Sequence, residues 1–285
     1  MTIAVTFLPR TAPPPLPPIA FIGGGNMASA IIGGLIKQGT PAGTFEVVEP
    51  FEEARTKLAQ AFGIAAHAEA GDALSRCSVV VWAVKPQTFA DAAAPVRAFA
   101  ANALHLSVAA GIPSDSIARW LGSERVVRAM PNTPALVGQG MTGLFARAAV
   151  DAADRALVGQ LLAPTGELLW VGDEAALDAE TAMSGSGPAY VLYFIEAMTE
   201  AGVEMGLPLE QAQRLAIGTF TGASALAHSA TEPPSVLRER VTSKGGTTHA
   251  AITSLEGADV KAKFKAAIRA AQKRAAELGD EFGRA

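Results

Sequence analysis

Residues 19–28 read Ile-Ala-Phe-Ile-Gly-Gly-Gly-Asn-Met-Ala, and this stretch decides the fold. Four apolar residues, Ile19–Ile22, suit a short buried strand. The turn Gly23-Gly24-Gly25 comes next, then an apolar helical stretch over Asn26–Gln38. The spacing is G-x-G-x-x-A, a version of the dinucleotide fingerprint. Its glycines let the backbone turn tightly and approach a pyrophosphate, which the helix N-terminus stabilises through free N–H groups and its dipole. Alone the fingerprint is weak, because glycine-rich turns are common. Here it stands between strand and helix, and an acidic residue, Glu49, closes a second strand 21 positions after Ala28. That context is what a nucleotide site requires; the competing reading is a turn that serves the fold only.

Outward from this unit the chain alternates strands and helices. Phe45–Val48 is the second strand and Phe51–Phe62 the next helix. Val79–Val84 is a continuous apolar run, as expected of a strand buried on both faces. Leu104–Ala109, Val126–Met130, Gly143–Ala146 and Leu168–Val171 read as further strands. After Gly172 only helical patterns remain: 175–183, 188–205, 209–228, 235–241 and 260–278, with Gly279 as the expected stop of the last. The fold class is therefore α/β, an N-terminal Rossmann-type parallel sheet followed by an all-α domain. The expected organisation is a Pro-rich disordered tail over 1–18, a dinucleotide-binding domain over 19–172 and a helical domain over 173–285. The tail carries Pro9, Pro13, Pro14, Pro15, Pro17 and Pro18, a density that forbids helix and central strand.

The composition narrows the function. The chain has 285 residues with a formal net charge of -4, and its isoelectric point is near 5.6. That balance argues against a nucleic-acid partner, which calls for a basic face. Cys77 is the single cysteine, so neither a disulfide framework nor a multi-cysteine zinc site is possible. The four histidines, His67, His105, His228 and His249, lack metal-ligand spacing, and no metal is expected. No apolar run reaches 18 residues, so no membrane partner is expected. The start lacks a basic region and an unbroken apolar stretch, and a cytoplasmic location is the expectation.

Two further loops leave the carboxyl ends of strands, where ligands bind in open α/β sheets. One is Ala83-Val84-Lys85-Pro86-Gln87 and the other Met130-Pro131-Asn132-Thr133-Pro134. In each, proline stiffens the loop beside a polar residue. Lys85 is read as a contact for ribose or phosphate oxygens; as an ordinary loop lysine it would carry no function. A third signal is Ser243-Lys244-Gly245-Gly246-Thr247-Thr248, ahead of helical sequence over 249–255. Consecutive glycines expose backbone N–H groups and hydroxyls flank a helix start, which suits a small carboxylate. The competing reading is an ordinary helix capped by Thr247 or Thr248.

Five motifs now stand together: FIGGGNMA (21–28), AVKP (83–86), RAMPNTPA (128–135), SGSGPAY (184–190) and VTSKGGTT (241–248). In this order the chain resembles the pyrroline-5-carboxylate reductases, which make L-proline from a cyclic imine. Lys244 departs from the pattern, where the family usually has proline. The resemblance implies that Gly23, Gly25, Asn26 and Met27 hold the cofactor pyrophosphate, with Lys85 and Asn132 near the nicotinamide ribose. It implies that Ser243, Gly245, Gly246, Thr247 and Thr248 hold the substrate, 1-pyrroline-5-carboxylate. The reaction it implies is hydride transfer from NAD(P)H to the imine carbon. A threonine hydroxyl is too weak an acid to protonate an imine unaided, so Thr248 is expected to hydrogen-bond the ring nitrogen. The resemblance also implies homodimers, in some members assembled into rings.

Alternatives can be weighed on the same residues. Reductases of the β-hydroxyacid type use a lysine on the first long helix of the second domain, and this chain has no lysine between Lys85 and Lys244. A non-catalytic nucleotide sensor would not need the 243–248 segment. A pyridoxal-phosphate carrier would need a Schiff-base lysine, usually in a barrel. Two expectations complete the reading. In 188–205 the only charges are Glu196, Glu200 and Glu204, on one stripe, so this helix must be buried, and dimerisation would cover it. Glu49 at the end of the second strand suits the ribose hydroxyls of NADH and repels a 2′-phosphate, so NADH is expected to serve at least as well as NADPH.

Overall fold

A strand buried on both faces must be apolar at every position, and Ile19–Ile22 (β1) and Val79–Trp82 (β3) are completely buried. In the computed structural model, which describes residues 14–283, they lie side by side as the second and third strands from one edge of a seven-stranded sheet. The other strands are Phe45–Val48 (β2), Leu104–Ser107 (β4), Val126–Met130 (β5), Gly140–Ala146 (β6) and Gly166–Trp170 (β7). The order is β2-β1-β3-β4-β5-β6-β7. All neighbours run parallel except β5 and β6, which pair antiparallel. Beyond β5 the sheet thus departs from the all-parallel pattern.

The period-two alternation of each strand feeds two cores. Ile19, Phe21, Val47 and Val81 meet Ile31, Ile32 and Leu35 of helix Asn26–Lys37 (α1) and Val158 and Leu161 of Ala152–Leu162 (α5). Ala20, Ile22, Val80 and Trp82 meet Phe89 and Val96 of Phe89–Arg97 (α3) and Ile117 and Leu121 of Ser114–Leu121 (α4). Trp82 stacks on Phe89 with centroids 4.7 Å apart, and its indole N–H donates to His105 Nδ1 at 3.2 Å. Helix Glu52–Phe62 (α2) follows β2 and buries Leu58.

Several boundaries differ from the sequence expectation. Strands expected over 79–84 and 104–109 stop at Trp82 and Ser107, because the chain there turns out of the sheet into crevice loops. The strand expected over 143–146 begins at Gly140, in register with Gly166 of β7. The expected disordered tail, 1–18, falls mostly outside the described residues. Its last five residues are held in place: Gln160 Nε2 donates to the Pro14 carbonyl at 2.7 Å, and Leu16 packs on the core.

By compactness the chain divides into two units. The first ends at Leu177 and takes in the chain again from Leu278; the second is Asp178–Glu277. This boundary lies five residues beyond the one expected after Gly172. A short helix, Ala176–Glu180 (α6), runs into a π-helical turn over Thr181–Gly185, and then Gly187–Glu204 (α7) begins with Pro188 in its first turn. Leu209–Ser229 (α8) packs closely on α7, where a Cβ on Gly202 would lie 2.8 Å from that of Ala212. Pro234–Arg240 (α9), Thr247–Gly257 (α10) and Val260–Gly283 (α11) complete the chain. Helix α11 runs straight through Gly279, the expected stop. Its last turn gains partners in the first unit: Phe282 packs on the α3–α4 core, and the Gly283 carbonyl accepts from Ser116 Oγ at 2.8 Å.

Candidate functional site

In an open parallel sheet the carboxyl ends of adjacent strands make a crevice where the chain's connections part in opposite directions. Here β1 lies between β2 and β3, so Gly23, Glu49 and Ala83 are brought to one edge. The Gly23 N–H donates to Val48 O and the Ala83 N–H to Ile22 O, each at 2.8 Å. Gly23 has φ +95°, and a Cβ there would stand 2.5 Å from the Ala83 carbonyl oxygen. The position is closed to any side chain by conformation and by space. Gly25 differs: it is the N-cap of α1 at φ −72°, with no side-chain cap, and a Cβ there would meet no protein atom within 4 Å. Gly25 and Asn26 are exposed, and the first N–H groups of α1 have no intrahelical partner. This cradle fits a pyrophosphate group.

Glu49 does more than the sequence suggested. It is buried, with only 6% exposed, and both carboxylate oxygens are engaged by the protein. Oε2 accepts from the Gly24 N–H at 2.8 Å and Oε1 from the Phe51 N–H at 2.9 Å. The residue read as a ribose contact thus also braces the glycine turn. Arg55, on the first turns of α2, places Nη1 on the carbonyls of Glu49 (2.9 Å) and Pro50 (2.7 Å). Ala83, Val84 and Pro86 are half-buried at the end of β3, and Lys85 is exposed, its carbonyl accepting from Thr88 Oγ1 at 3.0 Å. Asn132 stands beyond β5, two strands along from β3. Its Oδ1 accepts from the Met141 N–H at 3.1 Å, so the side chain fastens the β5 loop to β6.

In the second unit, Ser243–Gly246 forms a turn closed by the Gly246 N–H on Ser243 O at 3.0 Å, with Gly245 at φ +78°. Gly246 is the N-cap of α10 and no side chain caps it. Thr247 and Thr248 are the first two residues of the helix, so the competing reading of either as its cap is corrected. The α10 N-terminus therefore offers backbone N–H groups with two hydroxyls beside them, and its first turn carries no acidic residue. Ser243, Lys244, Gly245 and Thr247 are exposed; Gly246 and Thr248 are half-buried. The π turn at Thr181–Gly185, which no sequence pattern announced, runs into the first two residues of the SGSGPAY motif, with Ser186 N–H reaching back to Thr181 O at 2.8 Å.

Comparison with known proteins matches residues 174–278 to the family described as pyrroline-5-carboxylate reductase dimerisation. Residues 18–111 match the family described as NADP oxidoreductase, coenzyme F420-dependent. The pyrroline-5-carboxylate reductase of Pseudomonas aeruginosa is 47% identical over 94% of this chain and 98% of its own. The chain belongs to the pyrroline-5-carboxylate reductase family. The Haemophilus influenzae pyrroline-5-carboxylate reductase is 41% identical over 93% of this chain. Among solved structures, the pyrroline-5-carboxylate reductase of Coxiella burnetii has a TM-score of 0.86 at 36% identity over 92% of this chain and 98% of its own. The Plasmodium falciparum pyrroline carboxylate reductase, solved with NADP bound, has a TM-score of 0.82 at 27% identity over 92% of this chain and 98% of its own.

The reductase is an NAD(P)-dependent oxidoreductase of proline biosynthesis and carries the dimerisation domain of its family. Its second unit presents the apolar surface that such a domain must cover: Leu192, Tyr193, Leu209, Leu215 and Leu226 are all exposed in the single chain. Among the described residues, no helix is long and apolar enough to cross a membrane.

Proposed function

We propose that the reductase divides its work between two anion cradles, each built on an uncapped helix N-terminus. At the first, Gly23, Gly25, Asn26 and Met27 bind the cofactor pyrophosphate, and Glu49 orients the adenosine ribose. Ala83, Val84, Lys85, Pro86 and Asn132 line the path towards the nicotinamide. At the second, Ser243, Gly245, Gly246 and Thr247 hold the carboxylate of 1-pyrroline-5-carboxylate, and Thr248 hydrogen-bonds the ring nitrogen. The observation that carries this reading is the start of α10, where glycine stands at the cap and leaves the N–H groups to a ligand.

The cofactor supplies the hydride to the imine carbon; the protein supplies orientation and charge. A threonine hydroxyl donating to the imine nitrogen raises the electrophilicity of the carbon, and the proton that completes the amine reaches the nitrogen from water through this contact. Glu49 places a carboxylate beside the ribose, which supports use of NADH at least as well as NADPH. Dimers assembled into rings complete the proposal, and the apolar residues exposed on α7 and α8 support association. The test is a spectrophotometric assay of 1-pyrroline-5-carboxylate with NADH and NADPH in parallel, on the wild type and on Thr248→Ala. A hundredfold preference for NADPH would overturn the cofactor reading.

A further inference from the structure

At the end of β2 one carboxylate and one guanidinium lie side by side, and their partners are unequal. Both oxygens of Glu49 are committed to backbone N–H groups, Gly24 and Phe51. Arg55 is committed through a single nitrogen, Nη1, to two carbonyls, Glu49 and Pro50. Neither acceptor is charged, and Nε and Nη2 make no hydrogen bond among the described residues. Of the other cations near this edge, Lys57 pairs with Glu53 at 2.7 Å, Arg76 and His67 both pair with Glu46, and Lys85 stands exposed at the end of β3, away from Glu49 in sequence. Arg55 is thus a guanidinium fixed at the rim of the crevice with no carboxylate partner and two donor edges to spare.

We infer that Arg55 is the residue that admits the 2′-phosphate of NADPH, and that Glu49 acts chiefly as the positioning residue of the glycine turn. The inference rests on the reading that this crevice holds the nicotinamide dinucleotide. A guanidinium anchored by Nη1 keeps its remaining fork free for phosphate oxygens, and the anchoring lowers the entropy lost on binding. It sits within bonding reach of the backbone of Glu49, the residue that faces the adenosine ribose when a dinucleotide lies on such a sheet. Glu49 alone would exclude a 2′-phosphate by repulsion; Arg55 beside it offsets that charge. The pair thereby makes a crevice open to both cofactors.

The roles separate by substitution. Arg55→Ala removes the cation beside Glu49 and leaves Glu49 bonded to Gly24 and Phe51. NADPH affinity is expected to fall by roughly 10- to 100-fold, the scale of one or two hydrogen bonds to a charged group, while NADH affinity changes less than about threefold. Arg55→Lys keeps the charge without the fork and is expected to recover part of the loss. Glu49→Gln keeps size but turns one acceptor into a donor facing a backbone N–H, so both cofactors are expected to weaken together. Fluorescence titration with NADH and NADPH reads all three, and competition by adenosine 2′,5′-bisphosphate against adenosine 5′-monophosphate isolates the 2′ group. Equal loss of NADH and NADPH on Arg55→Ala, or no loss of either, would overturn the inference. Failure of the wild type to bind either nucleotide would instead overturn the dinucleotide reading beneath it.

Discussion

Replacing Gly25 by alanine separates what the fold needs from what a ligand needs. The backbone there has φ −72° and ψ −167°, open to any L-residue, and the new methyl would meet no protein atom within 4 Å. The protein therefore loses only the quality of an N-cap, about 0.5–1 kcal/mol. At roughly 2–4 °C per kcal/mol for a unit of this size, melting should fall by a few degrees at most. The methyl stands at the mouth of α1, where a phosphate oxygen must come within about 3 Å of the N–H groups. Holding it off breaks at least one charge-assisted bond of about 1.5–3 kcal/mol. Cofactor affinity should then drop about 10- to 100-fold for each bond lost. Titration of NADH fluorescence gives the affinity and scanning calorimetry the stability. Gly23→Ala is the contrast: its φ of +95° and the 2.5 Å approach to Ala83 O should cost about 2–4 kcal/mol in folding itself. A folded Gly25→Ala protein with wild-type cofactor affinity would refute the placement of the pyrophosphate on this turn.

Thr248→Ala should lower kcat/KM roughly 10- to 100-fold with melting unchanged, since Gly246 and not Thr248 caps α10; full turnover would remove Thr248 from the reaction. Burial lowers the His105 imidazole to about 4 from an ordinary 6.5, so the unfolded chain takes up the proton first as pH falls. Stability should be complete above about pH 6.5 and be lost between there and pH 4, by up to about 1.4 kcal/mol per pH unit. Urea titrations of wild type and His105→Gln at pH 7 and pH 5 should show the variant less pH-dependent. Glu174→Ala should cost about 1–3 kcal/mol, because the carboxylate binds Arg128 at 2.6 Å and both the N–H and hydroxyl of Ser114 at 2.6 Å. A melting curve identical to wild type would show that Arg128 finds another partner.

The glycine turn and the strands beside it were legible because their residues have one dominant job. Ile19–Ile22 is apolar throughout since both its faces are covered, and the glycines mark where backbone meets backbone or ligand. Helices α3, α4 and α5 were not set out in advance. Phe89–Arg97 carries Pro95 inside it, and Ser114–Leu121 has only eight residues, little more than two turns. Ala152–Leu162 does carry a start signal, Asp151 accepting from the Asp154 N–H at 2.8 Å, while the first two are fixed by packing on the sheet. The Gly279 stop failed for the same reason, the last turn of α11 being held by contacts far away in sequence. At the site, Glu49 was found by its position after β2. Its bond to Gly24 could not be, since 25 residues separate the two and only the parallel pairing of β1 and β2 joins them. Arg55 is legible as the basic residue close to Glu49 in sequence, but its anchoring through Nη1 on two backbone carbonyls is not, because such bonds leave no mark in residue type.

The strand β1 pairs with β2 on one side and β3 on the other, Ile19 meeting Phe45 and Val79 in register. Parallel neighbours cannot be joined by a hairpin, so each pairing closes a long loop before any contact repays it. The crevice edge consequently does not exist in any partly folded chain that has docked only two of these strands. Nucleotide capture during refolding is then a late event, a clock for the zipping of three strands and not for collapse or helix formation. A chain emerging from synthesis acquires its affinity for nucleotide only after residue 82 has reached its place beside Ile22.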